Sequence, residues 1–456
     1  MAYLEKTTSG MSDGNKKIWT LSFWMKRTKL GSEQFLWSWG ENNSSDGKLL
    51  FGAGDQLVFM NDGQCGSNQT MARALKDTNA WYHIVWRCKA DEGSNDNRWK
   101  LYINGELIPA SEYGSPSISN ADGIVNKWST QDCWHGGNAR SQQTGSVNPF
   151  YGLMSHIHFC DGYAYDASDF GETDATTGEW KIKTSPSVSY GTNGYFILKD
   201  NNSGTDESPN SNSFTAVGTI TKTQDNPSNF FATLSPHILP RSSGGTISNG
   251  SLTFGTSAAQ WTTESSSFGI TKGKYYFEVK LRDNGTDRRF RWGLQKNAEI
   301  TKTGNNKVIA GTDNNAIGYA TQGESATQGS YLINQSATTL SDGDINADNA
   351  IYGFAIDLDN QKMYGHFNGT WLHSGNPSAG SGGVDVSSFY TVGEPLFPSF
   401  TTHNSDIDIN FGNGFFGTTA VATNSGSGYQ DVDGTGIFNY TVPTNFRAIC
   451  TKGINQ

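Results

Sequence analysis

Three carboxylates crowd the string Glu172-Thr-Asp174-Ala-Thr-Thr-Gly-Glu179. Paired carboxylates are what glycoside hydrolysis requires, and a retaining site holds two of them about 5–5.5 Å apart. Glu172 and Asp174 share parity on an extended strand, but Glu179 is an odd step from Asp174 and would point the other way. The Thr-Thr-Gly inside the string reads as a turn, so no hydrolytic pair is expected there. His156 and His158, in Ser-His-Ile-His-Phe, are spaced to share one strand face, a spacing that can serve a metal. The competing reading, two histidines on a solvated sheet face, is the one favoured. A Gly-x-Ser-x-Gly nucleophile turn is absent. Glycan recognition asks for less, since an aromatic ring can stack on a sugar while Asn, Asp and His supply polar contacts. Trp128, Trp134 and His135 lie in the polar, Gly-rich run NKWSTQDCWHGGN, Tyr331 lies in TQGSYLINQ, and Trp371 follows an Asn-Gly turn. These five are the glycan-binding candidates. The competing reading folds each ring back over its own core.

The elements that must position these residues are strands. Residues 17–30, KIWTLSFWMKRTKL, place Trp19, Leu21 and Phe23 on one parity and Thr20, Ser22 and Trp24 on the other, the period of a half-buried strand. Trp81, His83, Val85 and Arg87 alternate in the same way with Tyr82, Ile84, Trp86 and Cys88. Asn104-Gly105, between WKLYI and ELI, is the clearest hairpin signal, because both residues of such a turn must tolerate positive φ. No helical periodicity lasts more than a turn or two. Gly makes up 54 of the 456 residues and only 17% are charged, which fits β-sandwiches with many tight turns. The chain is long enough for two or three domains. The composition shifts in the stretch from Asp161 to Pro236, whose second part is rich in Asn, Ser, Thr, Gly and Asp.

A formal net charge of −10 with no Lys/Arg-rich run excludes general nucleic-acid binding, which needs clustered cations. Mean hydropathy is −0.55, and no stretch reaches membrane-spanning length, so a chain in water without membrane insertion is expected. The N-terminus shows no signal-peptide pattern, which predicts synthesis in a cytoplasm. The five cysteines form no Cys-x-x-Cys pair. Cys88, Cys160 and Cys450 sit in apolar runs and are expected buried and reduced, while Cys65 and Cys133 lie in polar loops and could pair.

Three pieces of the central stretch, DGYAYDASDFGETDATTGEW, YGTNGYFILKDNNSG and DNPSNFFATLSP, resemble a junction that recurs in structural proteins of tailed bacteriophages. There it follows a concanavalin-A-like, laminin-G-like jelly roll. The opening TTSGMSDGNKKIWTLSFWMKRTKLGSEQFLWSWG resembles the first strands of that module, and FYGLMSHIHFCDGYAYDASDFG its closing strand. Further on, YFEV, WGL, YGFAIDLDNQKMYGHFNG and LFPSF followed by INFG resemble a SPRY-type module, itself a concanavalin-like sandwich. Together these imply an all-β chain of two antiparallel β-sandwich domains joined by a polar extended linker. The expected bounds are a jelly roll over 1–200, a largely irregular junction over 201–244, and a SPRY-like sandwich with a C-terminal strand over 245–456. Laminin-G-like modules often bind calcium through loop oxygens, and Asp91 and Asp96 are the calcium candidates, with Glu92, Asp122, Asp132 and Asp161 in the same and other loops. No other cofactor is expected.

The function implied is a non-enzymatic structural component of a tailed phage particle: a tail fibre, a spike-associated protein or a head fibre that contributes to host-surface attachment. Its location would be the virion. Its partners would be other virion proteins, further copies of itself in a trimer, and host-surface glycan. The alternative is a glycan-binding adhesin or a carbohydrate-active enzyme acting on host surface polysaccharide.

Overall fold

The computed structural model describes the chain except residues 1, 8–10, 43–44, 115, 140–146, 177, 200–203, 236–244, 257–260, 283–288, 297–314, 322–328, 335, 422–428 and 455–456. It divides into two compact units, Met1–Lys222 and Thr223–Gln456. Each is a pair of antiparallel sheets enclosing one apolar core, so the expected all-β sandwich class holds for both. Helix among the described residues is confined to the short segments Asn95–Arg98, Ala110–Tyr113, Ala167–Asp169 and Thr451–Ile454. No helix there is long and apolar enough to cross a membrane.

The first unit carries a seven-stranded sheet in the order Thr215–Val217, Tyr3–Lys6, Asp132–His135, Gln34–Asn42, Ser45–Phe51, Gln56–Asn61, Cys65–Ala74. Its six-stranded partner runs Tyr195–Ile197, Gly152–Asp161, Ile18–Arg27, Trp81–Lys89, Trp99–Ile103, Glu106–Ile108. The alternation seen in the sequence sets the faces. Trp19, Leu21, Phe23 and Met25 meet Ile84, Trp86 and Cys88 in the core. Asn104 and Gly105 have φ of 47° and 81°, as the Asn-Gly turn requires.

This core is built on tryptophan. Trp86 meets Trp19, Trp37 and Trp99 edge-on at 5.0, 6.0 and 5.2 Å, and Trp39 meets Trp128 edge-on at 4.5 Å. The indole N–H groups of Trp19, Trp39, Trp86 and Trp128 are buried with no hydrogen-bond acceptor among the described residues. An edge-on ring directs its positive edge at the negative face of its neighbour, a favourable contact between the rings themselves.

The outer face of the six-stranded sheet is covered by the chain between residues 162 and 190. Tyr165, Ala167, Phe170, Trp180, Val188 and Tyr190 lie on Val85, Tyr102 and Cys160. His83 is the anchor of this cover. It stacks between Trp24 at 4.8 Å and Trp180 at 6.0 Å. Trp180 Nε1–H donates to His83 Nδ1 at 3.0 Å, so the ring carries its hydrogen on Nε2 and donates it to Ser22 Oγ at 2.9 Å. Burial pushes the His83 imidazole down to about 3, so it is neutral at any ordinary pH.

Of the stretch read as a polar junction, residues up to Lys222 fall in the first unit and residues from Thr223 in the second. Phe214 is buried against His135 and Tyr195, and Thr215–Val217 adds an edge strand beside Tyr3–Lys6. Phe231, Ala232 and Leu234 enter the apolar clusters of the second unit. Residues 236–244 lie outside the described residues.

The second unit pairs a sheet ordered Gly245–Ser248, Thr253–Thr256, Asp406–Asn410, Lys274–Leu281, Ile351–Asp357, Lys362–Phe367, Thr370–Trp371, with Val384–Asp385 also on Lys362–Phe367, against a second sheet. That second sheet runs Trp261–Ser265, Leu396–His403, Arg289–Lys296, Ala316–Ala320, Ser330–Ile333, Ser336–Thr339. Phe277, Val279, Trp292, Tyr319, Phe354 and Phe400 are among the residues between them. Among the described residues the C-terminal strand expected of this module is confined to the two-residue pair Phe415–Phe416 and Thr419–Ala420, and no strand follows it. Residues 429–450 run instead as an irregular strap, in which Pro443 has no N–H to offer a ladder and Asn445 has φ of 66°. Its Phe438, Val442, Phe446, Ala448 and Cys450 cover Tyr276, Ala355 and Tyr364 on the outer face of the first-named sheet.

All five cysteines are buried and unbridged, so Cys65 and Cys133 do not pair. Burial pushes the thiols of Cys88 and Cys133 up to about 12. Native protein should therefore react with none of its thiols in a timed labelling assay at pH 8, and with all five after denaturation. Replacing Trp86 by Ala should cost about 3–5 kcal/mol in denaturant unfolding, because it leaves a large cavity at the centre of the indole cluster.

Candidate functional site

Three of the five glycan candidates are interior. Trp128 is 0% exposed against Trp39, Trp134 is 2% exposed and stacked on Tyr3 at 4.2 Å, and His135 is 2% exposed with Nε2 at 2.8 Å from Tyr195 Oη. A ring with no open face cannot stack on a sugar, so these three are corrected to core residues. Their stretch looked like a loop because Gly and polar residues surround them. The Asp132–His135 strand, paired on both sides, buries Trp134 and His135, and Trp128 packs into the core against Trp39.

The acidic candidates are also accounted for. Glu172 and Lys181 are cross-strand partners in the hairpin Gly171–Thr173 and Trp180–Ile182. Lys181 Nζ lies 3.3 Å from both Glu172 and Asp174. Asp91 and Asp96 are exposed, and Glu92 between them is held by Lys89 at 2.7 Å with Arg87 at 3.9 Å, a cationic setting for a calcium loop. Asp161 is buried with both oxygens occupied: Oδ1 accepts Asn15 N–H at 2.8 Å and Asn126 Nδ2–H at 2.7 Å, and Oδ2 accepts Asn193 N–H at 3.0 Å. No group of three or more His, Cys, Asp or Glu able to hold a metal occurs among the described residues.

His156 and His158 do not share a solvated face. A bulge between Ser155 and His158 breaks the alternation, and His156 has φ of 49°. His158 is buried, stacks on Phe196 at 4.0 Å and bonds Tyr190 Oη at 2.8 Å.

Two constellations remain, both in the second unit. The first is an open patch. Tyr331, half-buried on Ser330–Ile333, meets the exposed ring of His373 at 5.6 Å. The exposed carboxylate of Asp342 accepts the His373 backbone N–H at 3.2 and 3.0 Å, which fixes the imidazole beside the phenol. His373 and Ser374 both have positive φ, 53° and 51°, so this turn holds an uncommon backbone conformation. An aromatic face with an imidazole and a carboxylate at its rim can stack a sugar ring and accept hydrogen bonds from its hydroxyls.

The second constellation is a buried row. Asn410, Glu278, Gly353, His366 and Trp371 are in register across five neighbouring strands on the face under the strap. Gly353 makes the row possible, because a Cβ there would sit 2.1 Å from His366 Nε2. Through that gap His366 reaches Tyr276 Oη at 2.6 Å, and Tyr276 donates to Glu278 Oε1 at 2.9 Å. Oε1 also accepts Tyr440 N–H at 2.8 Å, while Oε2 accepts Asn439 N–H at 2.8 Å and Asn410 Nδ2–H at 3.4 Å. Desolvation raises the Glu278 carboxyl from its ordinary 4.5 to about 7, against the opposing pull of these donors. Burial pushes the His366 imidazole down to about 3. Half-buried Trp371 and Tyr440 each lie 5.1 Å from the His366 ring. Trp371, a glycan candidate, is thus part of the cover over this row.

The sequence marked Tyr331 and Trp371 but not their partners. Asp342 meets His373 across 31 residues, and His366 reaches Glu278 only through Tyr276, 90 residues away along the chain. The one local signal was glycine inside a strand pattern, in IYGFAID, which marks a close approach of another group.

Residues 5–164 match the model of the concanavalin A-like lectin/glucanases superfamily. The first unit therefore carries a concanavalin A-like module. Among solved structures, a human SPRY domain is similar at 14% identity and a TM-score of 0.26, over 36% of this chain and 93% of its own. The SPRY domain of human HERC1 is similar at 11% identity and a TM-score of 0.28, over 39% of this chain and 96% of its own. No curated protein matches the sequence.

Two predictions follow from the row. Gly353→Ala should destabilise the second unit by about 1–3 kcal/mol in denaturant unfolding, since the added methyl must displace His366. Because Glu278 binds its proton more tightly folded than unfolded, its contribution is fully present below pH 4.5 and is lost as pH rises through about 7. Unfolding free energy of the wild type should fall by up to about 3 kcal/mol across that window. Glu278→Gln should flatten the fall in the same titration.

Proposed function

We propose that this chain is a non-enzymatic structural component of a tailed phage particle, of fibre, spike-associated or head-fibre type, that contributes to host-surface attachment by binding glycan at the Tyr331–His373–Asp342 patch. The observation that carries the binding site is this patch itself: a half-buried aromatic ring beside an exposed imidazole, with a carboxylate fixing the turn. The concanavalin A-like match and the two sandwich units support a role in recognition. The placement in a virion is supported by the resemblance of the 161–236 stretch to phage structural junctions. In this reading the chain acts as a trimer among other virion proteins, and its attachment needs no metal.

The test is calorimetric titration of the full chain with fragments of host surface polysaccharide, with and without a chelator. Tyr331→Ala and His373→Ala should each weaken binding at least tenfold, about 1.4 kcal/mol. Unchanged affinity in both variants would remove the site, and release of reducing ends during the titration would overturn the non-enzymatic reading. Antibody raised against the chain should label purified particles, and particles that contain none of it would overturn the virion placement.

A further inference from the structure

The buried row in the second unit has hydrogen bonds of one fixed sense. Gly369 N–H donates to His366 Nδ1 at 3.2 Å, so the imidazole hydrogen is on Nε2. Nε2–H then donates to Tyr276 Oη, and Oη–H donates to Glu278 Oε1. Glu278 is 0% exposed and His366 1% exposed. Every group around the carboxylate is a donor: Tyr276 Oη–H, the N–H groups of Asn439 and Tyr440, and Asn410 Nδ2–H. The Asn410 oxygen is already occupied by the N–H groups of Gly412 and Gly414.

That arrangement restricts where an added proton can go. A hydrogen on the Glu278 carboxyl needs an acceptor, and of its four partners only Tyr276 Oη can become one. It does so by turning its own hydrogen toward His366 Nε2, which must then be bare. The imidazole hydrogen must therefore stand on Nδ1, where it faces the Gly369 N–H.

We propose that Gly369, His366, Tyr276 and Glu278 form a proton wire in which uptake of one proton at His366 Nδ1 ends as a neutral carboxyl at Glu278 and releases the turn that carries Trp371. The balance is one proton taken from solvent. It binds Nδ1, the Nε2 hydrogen passes to Tyr276 Oη, and the Oη hydrogen passes to Glu278 Oε1. The imidazole ends neutral in its other tautomer, the tyrosine ends neutral, and the bond from Gly369 N–H is lost. Gly369 has φ of 84° in the Asn368-Gly369 turn, and Thr370–Trp371 follows directly. The entry point lies beside half-buried Trp371 and Tyr440.

The groups facing the carboxylate from each packed element are few. Its own strand supplies Tyr276, the Lys362–Phe367 strand supplies His366 through Tyr276, and the strap supplies Tyr440. Asp406–Asn410 supplies the neutral Asn410, and Ile351–Asp357 supplies Gly353. The buried carboxylate titrating near neutrality places the exchange within reach of ordinary pH.

The test is nitrogen-15 NMR of the histidine side chains in the full chain between pH 5.5 and 8.5. The expected result is His366 in the Nε2–H form at high pH and the Nδ1–H form at low pH, in one step, with at least a tenfold fall in the Gly369 amide protection factor. Tyr276→Phe removes the link while keeping the carboxylate, and should hold His366 in one tautomer throughout. Glu278→Gln should do the same. A His366 ring that keeps Nε2–H across the range, or a tautomer change that persists in Tyr276→Phe, would overturn the wire.

Discussion

The constraint on which both units depend is the satisfaction of backbone N–H groups in chain that is not in a sheet. Each sandwich hides an outer sheet face under an irregular segment, and irregular backbone cannot be buried unless its donors find acceptors. Side-chain oxygens provide them. Asp161 accepts the backbone N–H groups of Asn15 and Asn193. Asp206 accepts from Phe196, Ser208 and Asn212. In the strap, Asp431 accepts from Thr435, Gly436 and Ala448, and Glu278 from Asn439 and Tyr440. Removing one such acceptor leaves several buried donors unpaired, each costing about 1–3 kcal/mol.

The covers decide which side chains are available to a ligand. Without the 162–190 cover, His83, Val85 and Tyr102 would lie on an open sheet face. With it they are interior, and Trp180 closes over His83. The strap does the same for Tyr276, Glu278 and His366. What is left at the surface is a narrower set, in which Tyr331, His373 and Asp342 stand together because the turn after Trp371 brings them so. The chain alternates there within three residues: Trp371 belongs to the strap's cluster, Leu372 to the core between the sheets, and His373 to the open patch.

Burial also separates the titratable groups by role. His83, His135 and His366 are each pushed down to about 3 and serve as neutral hydrogen-bonding rings. Glu278 is different, because it is an acid whose burial moves it toward neutrality rather than away from it. The same desolvation that silences a histidine brings a carboxyl into the physiological range.

By itself the sequence determined the fold class and the inner faces. Period-two alternation at Ile18–Arg27 and Trp81–Lys89 assigned the core side of each strand, and Asn104-Gly105 assigned its turn, because both signals are local and are set by backbone geometry. Buried thiols at Cys88, Cys160 and Cys450 were legible for the same reason. The outer faces were not legible. A polar or ionisable residue on the second parity, such as His83 or Glu278, reads as solvent-facing until a distant segment covers it. The bulge that sets His156 and His158 apart, and the register that lines up Asn410, Glu278, Gly353, His366 and Trp371, come from pairings between strands far apart in the chain. Only the tertiary structure decided these, because burial of a side chain depends on what packs over it and not on its own neighbours in sequence.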